Sequence, residues 1–234
     1  MYKMANTNIR KGRFFLMKKE NKKSFLIAVF FLTVFILWTV LIRFIDVKAI
    51  GPQNSSIGFS TLNAFFHKLT GVNMTLYTIT DWLGLVPIAV CLGFGVLGLT
   101  EWIKRKSILK VDFTILVLGL FYIIVIAIYL LFEEVVINYR PVLINGYLEA
   151  SYPSSTTTLV MCVMPTAMMQ FNTRIKSQIL RKIVLITITI FICFMVIGRL
   201  ISGVHWLSDI IGGALLSTGL VMMYYALAKS HTTN

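Results

Sequence analysis

The sequence predicts an all-α integral membrane protein with six transmembrane helices. Three observations carry that prediction. First, 57% of the 234 residues are hydrophobic and only 13% are charged, with a mean hydropathy of +0.83. A soluble domain carries about 25% charged residues. Second, the apolar residues fall in long runs, and a run of about 20 spans the ~30 Å hydrocarbon core of a bilayer. Third, most of the basic residues fall in alternate gaps between those runs. Disorder is excluded by the same composition.

The first span covers 24–42, an uninterrupted apolar run. It exceeds the ~7–15 apolar residues of a signal peptide, so it is expected to be retained. The second covers about 83–100, with Pro87 and several glycines inside it. The third covers about 113–132, the fourth 154–170, the fifth 183–198 and the sixth 209–228. The fourth is the least hydropathic, because it opens on Ser154, Ser155, Thr156, Thr157 and Thr158. Helices are required because backbone groups in lipid must be satisfied within their own segment. Barrel strands would instead alternate over ~10 residues.

This layout divides the chain into a basic N-terminal segment (1–23), a six-span membrane domain (24–228) and a short tail (229–234). Seventeen of the 22 lysines and arginines lie before span one, between spans two and three, between four and five, or after six. The positive-inside rule places those segments, and both termini, in the cytoplasm of a multi-pass cell-membrane protein, and the form of the chain resembles a bacterial inner-membrane protein. The net charge of +13 is therefore a topology signal. Nucleic-acid binding is a poor reading, because the basic residues are split among short loops. Cys91, Cys162 and Cys193 sit inside apolar runs and offer neither a disulfide framework nor a metal site.

The remaining polar residues gather in three outer segments: 43–82, 133–153 and 199–208. The last holds Gly198-Arg199, then His205, then Asp209. If span six starts before His205, that residue and Asp209 are four apart on one helix face. The carboxylate then fixes the imidazole tautomer and leaves one ring nitrogen free. Arg199 supplies a planar fork suited to phosphate. The middle segment holds Arg140-Pro141, then Pro153-Ser154-Ser155-Thr156 just before an apolar run. That pattern reads as a helix start, whose free N–H groups and hydroxyls form an anion site.

These motifs resemble the type-2 phosphatidic acid phosphatase superfamily, the membrane lipid phosphatases related to the vanadium haloperoxidases. The family pattern is Lys, six residues, Arg-Pro; then Pro-Ser-Gly-His; then Ser-Arg, five residues, His, three residues, Asp. Arg140-Pro141, Pro153-Ser154 and Arg199, His205, Asp209 match it, with Gly198 in place of Ser. The family Lys is Glu133 here, Gly is Ser155, and the second-motif His is Thr156. The resemblance implies a haloperoxidase-like helical bundle and hydrolysis of a lipid phosphate or lipid diphosphate without metal or cofactor. It implies His205 as nucleophile and Asp209 as its orienting group. Arg140, Arg199 and Ser154 would hold the phosphoryl oxygens, with Ser155 and Thr156 beside them.

The two departures leave three rescues open: His67 as proton donor, Lys48 or Lys68 as replacement charge, or a leaving group that needs no acid. They also leave open a catalytically impaired relative that binds phospholipid headgroups without turnover. A transporter is disfavoured, because no paired broken helices or mid-span charges are present.

Overall fold

A computed structural model of the chain describes residues 21–229 in full, and residues 2–20, 230 and 231 only as parts of helices. The basic segment up to 20 and the tail beyond 229 therefore lie largely outside the described residues. Eight helices follow one another: α1 (Tyr2–Phe44), α2 (Ser60–Thr70), α3 (Met74–Leu83), α4 (Leu85–Arg105), α5 (Phe113–Glu134), α6 (Ser155–Arg174), α7 (Gln178–Ile201) and α8 (Leu207–His231). The described residues form no β-sheet, only isolated bridges. The protein is a multi-pass, all-helical membrane protein.

Among the described residues, five stretches are long and apolar enough to cross a bilayer: 21–44, 74–105, 113–134, 178–201 and 207–229. The expected fourth span, α6, is a full 20-residue helix that does not reach that hydropathy. Its position explains why. Ten of its residues are buried, and it packs against α4, α5, α7 and α8. A helix sheltered from lipid can carry Thr156, Thr157, Thr158, Thr166 and Gln170, provided each is bonded or sits at a site. The lipid-facing residues are instead the large exposed apolar side chains of α1, α4, α5 and α7, such as Phe30, Leu92, Ile123 and Ile190.

The outer segment expected as a loop over 43–82 is largely helical. Residues 60–70 form α2, which packs on α8, and α3 runs into α4 across Gly84 to make a single 32-residue span. The 11 residues of α2 are too few to cross a bilayer, so a search for spans passes over it. Asn73 caps α3, its side chain accepting the Leu76 N–H at 2.9 Å.

The two ends of the bundle differ. At the basic end, Arg174 on α6 pairs with Asp112 at 2.7 Å and bonds Gln170, which donates to Tyr224 on α8 at 2.6 Å. At the other end, the segments joining α1 to α3, α5 to α6 and α7 to α8 interlock. Trp38 of α1 donates to the Ser208 carbonyl at 3.1 Å, and Asn63 of α2 holds both the backbone and hydroxyl of Ser208.

The turn between α7 and α8 depends on Gly203. Its φ is +67°, and a Cβ there would lie 1.8 Å from the Gly71 carbonyl oxygen. Gly203→Ala is therefore expected to destabilise the protein by about 2 kcal/mol or more. Thermal unfolding in detergent checks this. An unchanged melting temperature would show that the turn has room to relax.

Candidate functional site

Each functional side chain is delivered by the interlocked end of the bundle. The 138–151 segment folds back on itself as a hairpin. Tyr139 pairs with Ala150, and the Arg140 N–H donates to the Glu149 carbonyl at 3.0 Å. Its tip is Asn145-Gly146, with φ of +50° and +84°. Positive φ at both central residues is the signature of a tight hairpin turn. The fold-back brings Arg140 and Ser151 to the same His205 ring although they are eleven positions apart.

His205 sits on the turn before α8, and it is 3% exposed. Its Nδ1 lies 3.0 Å from the Ser151 hydroxyl, and that hydroxyl donates to Asp209 Oδ2 at 2.6 Å. A hydroxyl that gives its proton to the carboxylate can only accept from the ring, so Nδ1 carries the hydrogen. Nε2 then keeps its lone pair, and Arg140 Nη1 points at it from 3.4 Å. Burial, and then the charges of Arg140 and Arg199, push the His205 pKa well below 6.5. The ring is held neutral.

The direct His205–Asp209 contact expected from their spacing is replaced by this relay. The reason is that α8 begins at Leu207, so His205 lies outside the helix and the pair does not share a helix face. Asp209 instead works as a hub. Its Oδ2 also accepts the Trp206 N–H at 3.0 Å, and Oδ1 accepts from Asn138 at 3.2 Å and Ser208 at 3.3 Å. A carboxylate with no solvent exposure needs that many donors. Spacing alone gives no role to Ser151 or Asn138. Both were visible beside the motifs, but only the hairpin brings them to Asp209.

Arg199 ends α7 and is 1% exposed. Its guanidinium lies over the Tyr77 ring at 4.8 Å, and Arg140 reaches the same ring at 5.9 Å. Arg199 also donates to the Tyr77 carbonyl and Thr80 hydroxyl, both at 3.3 Å, and pairs with Asp81 at 3.1 Å. Arg140 pairs with Glu149 at 3.1 Å. Tyr77, Thr80 and Asp81 come from α3, within the segment read as a plain loop.

Ser154 caps α6. Its hydroxyl accepts the Thr157 N–H at 3.5 Å, and its own N–H donates to the Asp209 carbonyl at 3.1 Å. Ser155 and Thr156 follow in the first turn and line a cavity of about 600 Å³ between α4, α5 and α6, with Ser151, Asp81 and Glu133 at its polar end. Neither His67, Lys48 nor Lys68 lines that cavity. His67 is 3.2 Å from the Gly203 carbonyl and packs on Trp206, while Lys48 pairs with Asp46 at 3.0 Å. None of the three stands beside Thr156 in the cavity lining. Three buried polar atoms nearby have no hydrogen-bond partner: Arg199 Nε, Arg140 Nε and Thr157 Oγ1. The Arg140–Glu149 approach is thus a charge contact off the N–H line.

The fold and this end-of-bundle cluster can be set beside known proteins. Residues 133–232 match the family model of the PAP2 superfamily, which bears out the resemblance drawn from the motifs. The fold resembles the crystal structure of a transmembrane PAP2-type phosphatidylglycerolphosphate phosphatase from Bacillus subtilis. The TM-score is 0.56 and the identity 16%, over 85% of this chain and 94% of that one. No curated protein matches the chain.

Proposed function

We propose that the protein is a membrane lipid phosphatase that removes the terminal phosphate of a phospholipid or prenyl diphosphate through a phosphohistidine. The observation that carries this reading is the state of His205. Its Nδ1–H is tied through Ser151 to Asp209, and Nε2 is neutral, buried and faced by a guanidinium. The Nε2 lone pair attacks phosphorus, the bond to the leaving oxygen breaks, and that oxygen keeps the electron pair. Water then attacks the phosphohistidine, which returns His205 and releases phosphate. Arg140 and Arg199 offset the charge that develops on the phosphoryl oxygens. The unpartnered Arg199 Nε is a buried polar group that a phosphoryl oxygen would satisfy. Ser154, occupied as the α6 cap, contributes the helix N-terminus rather than a free hydroxyl.

The apolar cavity beside Ser155 and Thr156 suits the chain of a lipid. The reading places the site, opposite the basic loops, on the extracytoplasmic side with both termini inside. A diphosphate is favoured over a simple ester. Its departing phosphate has a second pKa near about 6 and leaves without a strong acid, whereas Thr156 cannot supply one.

A second reading is a headgroup binder without turnover, favoured by Thr156 and Glu133 lining the same cavity. Phosphate release from prenyl diphosphate, phosphatidic acid and phosphatidylglycerolphosphate in mixed micelles separates the two. Release above background, fastest for the diphosphate, supports the hydrolase. Background release with all three leaves the binder.

Two further consequences follow for the relay. Ser151→Ala leaves a buried imidazole N–H unpaired, at a cost of about 1–3 kcal/mol, so turnover is expected to fall roughly 10- to 100-fold. Because the ring must be neutral to attack, and its pKa lies well below 6.5, wild-type activity should stay level as pH falls through 6.5 and decline only lower. An acid limb at or above 6.5 would contradict the buried, arginine-flanked imidazole.

A further inference from the structure

The two arginines of the proposed anion pocket are not free in the resting protein. Each is held by a carboxylate from outside the family motifs: Arg199 by Asp81 at 3.1 Å and Arg140 by Glu149 at 3.1 Å. The pairs are lopsided. The Arg199 side chain is 2% exposed against 57% for Asp81, and Arg140 is 10% exposed against 41% for Glu149. A buried guanidinium needs a counter-charge at all times. A half-exposed carboxylate regains most of its hydration when released and loses little by letting go. The arrangement therefore favours exchange of the carboxylate rather than of the arginine.

Asp81 also lines the cavity beside Thr156, so a ligand entering there meets it directly. Glu149 lies across the hairpin from Arg140, its carbonyl already fixed by the Arg140 N–H. Only its side chain has to swing away.

We infer that Asp81 and Glu149 are displaceable counter-ions that set the charge a ligand must bring to the site. The inference rests on the anion pocket proposed above. A phosphodiester group brings one negative charge, so when it displaces both carboxylates one guanidinium is left without a counter-charge. A phosphomonoester or terminal diphosphate brings close to two charges and three oxygens, which match both arginines. Asp81 and Glu149 thus discriminate terminal phosphates from the phosphodiester headgroups that crowd the bilayer. This is specificity by a competing internal anion.

The test is equilibrium binding of inorganic phosphate and of dimethyl phosphate to the full chain in detergent at pH 7.5. Asp81→Asn and Glu149→Gln are each expected to bind phosphate at least tenfold tighter than wild type. Asp81→Asn should also melt lower without phosphate and recover more on its addition, because Arg199 has lost its counter-charge. Asp81→Glu, which keeps the charge, controls for shape and should bind phosphate like wild type. Dimethyl phosphate should bind the double variant Asp81→Asn/Glu149→Gln measurably and wild type at least tenfold more weakly.

Unchanged or weaker phosphate binding in both single variants, with folding verified by their melting curves, would overturn the inference. Equal affinity of wild type for phosphate and dimethyl phosphate would overturn it too, as would absence of phosphate binding in every variant. Because the readout is binding, a protein with the expected affinities and no lipid hydrolysis would sink only the hydrolase reading.

Discussion

His205→Ala is expected to lower phosphate release from the best lipid substrate by at least ~10³-fold, with the protein still folded. Losing a nucleophile removes the covalent route, and partial losses of such groups are rarely additive. The geometry makes the test specific. The alanine leaves Ser151 still bonded to Asp209 at 2.6 Å, and Asp209 keeps its donors from Trp206, Asn138 and Ser208. The polar layer therefore survives, and so should the melting temperature. Phosphate binding should persist, because the guanidiniums remain. Loss of turnover with retained binding is the expected signature. A variant that turns over lipid within about tenfold of wild type would remove His205 from the chemistry.

The second large effect runs the other way. Thr156→His is expected to raise turnover of phosphomonoester lipids such as phosphatidic acid by ~10²- to 10⁴-fold, the usual contribution of a positioned general acid. Thr156 lies in the first turn of α6, and its neighbours Ser155 and Leu159 line the same cavity, so an imidazole has space to enter. The gain should be small for prenyl diphosphate, whose leaving phosphate needs little protonation. A uniform change across both substrate types would mean that leaving-group protonation does not limit the reaction. Initial rates with matched micelle compositions decide it.

The sequence and the structure agree most closely where one physical signal dominates. The runs that became α1, α5, α7 and α8 are legible because lipid exposure demands continuous apolar surface. Helix α6 is marked by its cap, Pro153-Ser154, rather than by hydropathy, since its Thr and Gln residues face protein. Helix α2 is hidden because its 11 residues cannot span a bilayer, and α3 because its polar residues set it apart from the apolar run that marks α4. The match of residues 133–232 to the PAP2 superfamily accords with the spacing of Arg199, His205 and Asp209.

The candidate site divides in the same way. Arg140 and Arg199 meet over Tyr77, and Arg140 reaches His205; spacing singles out all three. What spacing could not convey is the wiring between them. Ser151 enters because a hairpin turning at Asn145-Gly146 returns it to Arg140's side. Asp81 enters because α3 packs on α7. Both depend on contacts between segments 58 to 118 residues apart. Local pattern carries no information about such pairings.

In the proposed mechanism a phosphoryl group passes through His205 Nε2. Rapid acid-free quenching of the protein during turnover of a prenyl diphosphate, followed by peptide mass spectrometry, tests it most directly. A phosphoryl adduct on the peptide bearing His205, labile to acid and stable to base, is the result expected. Steady phosphate release with no adduct at His205, or an adduct on another side chain, would contradict it.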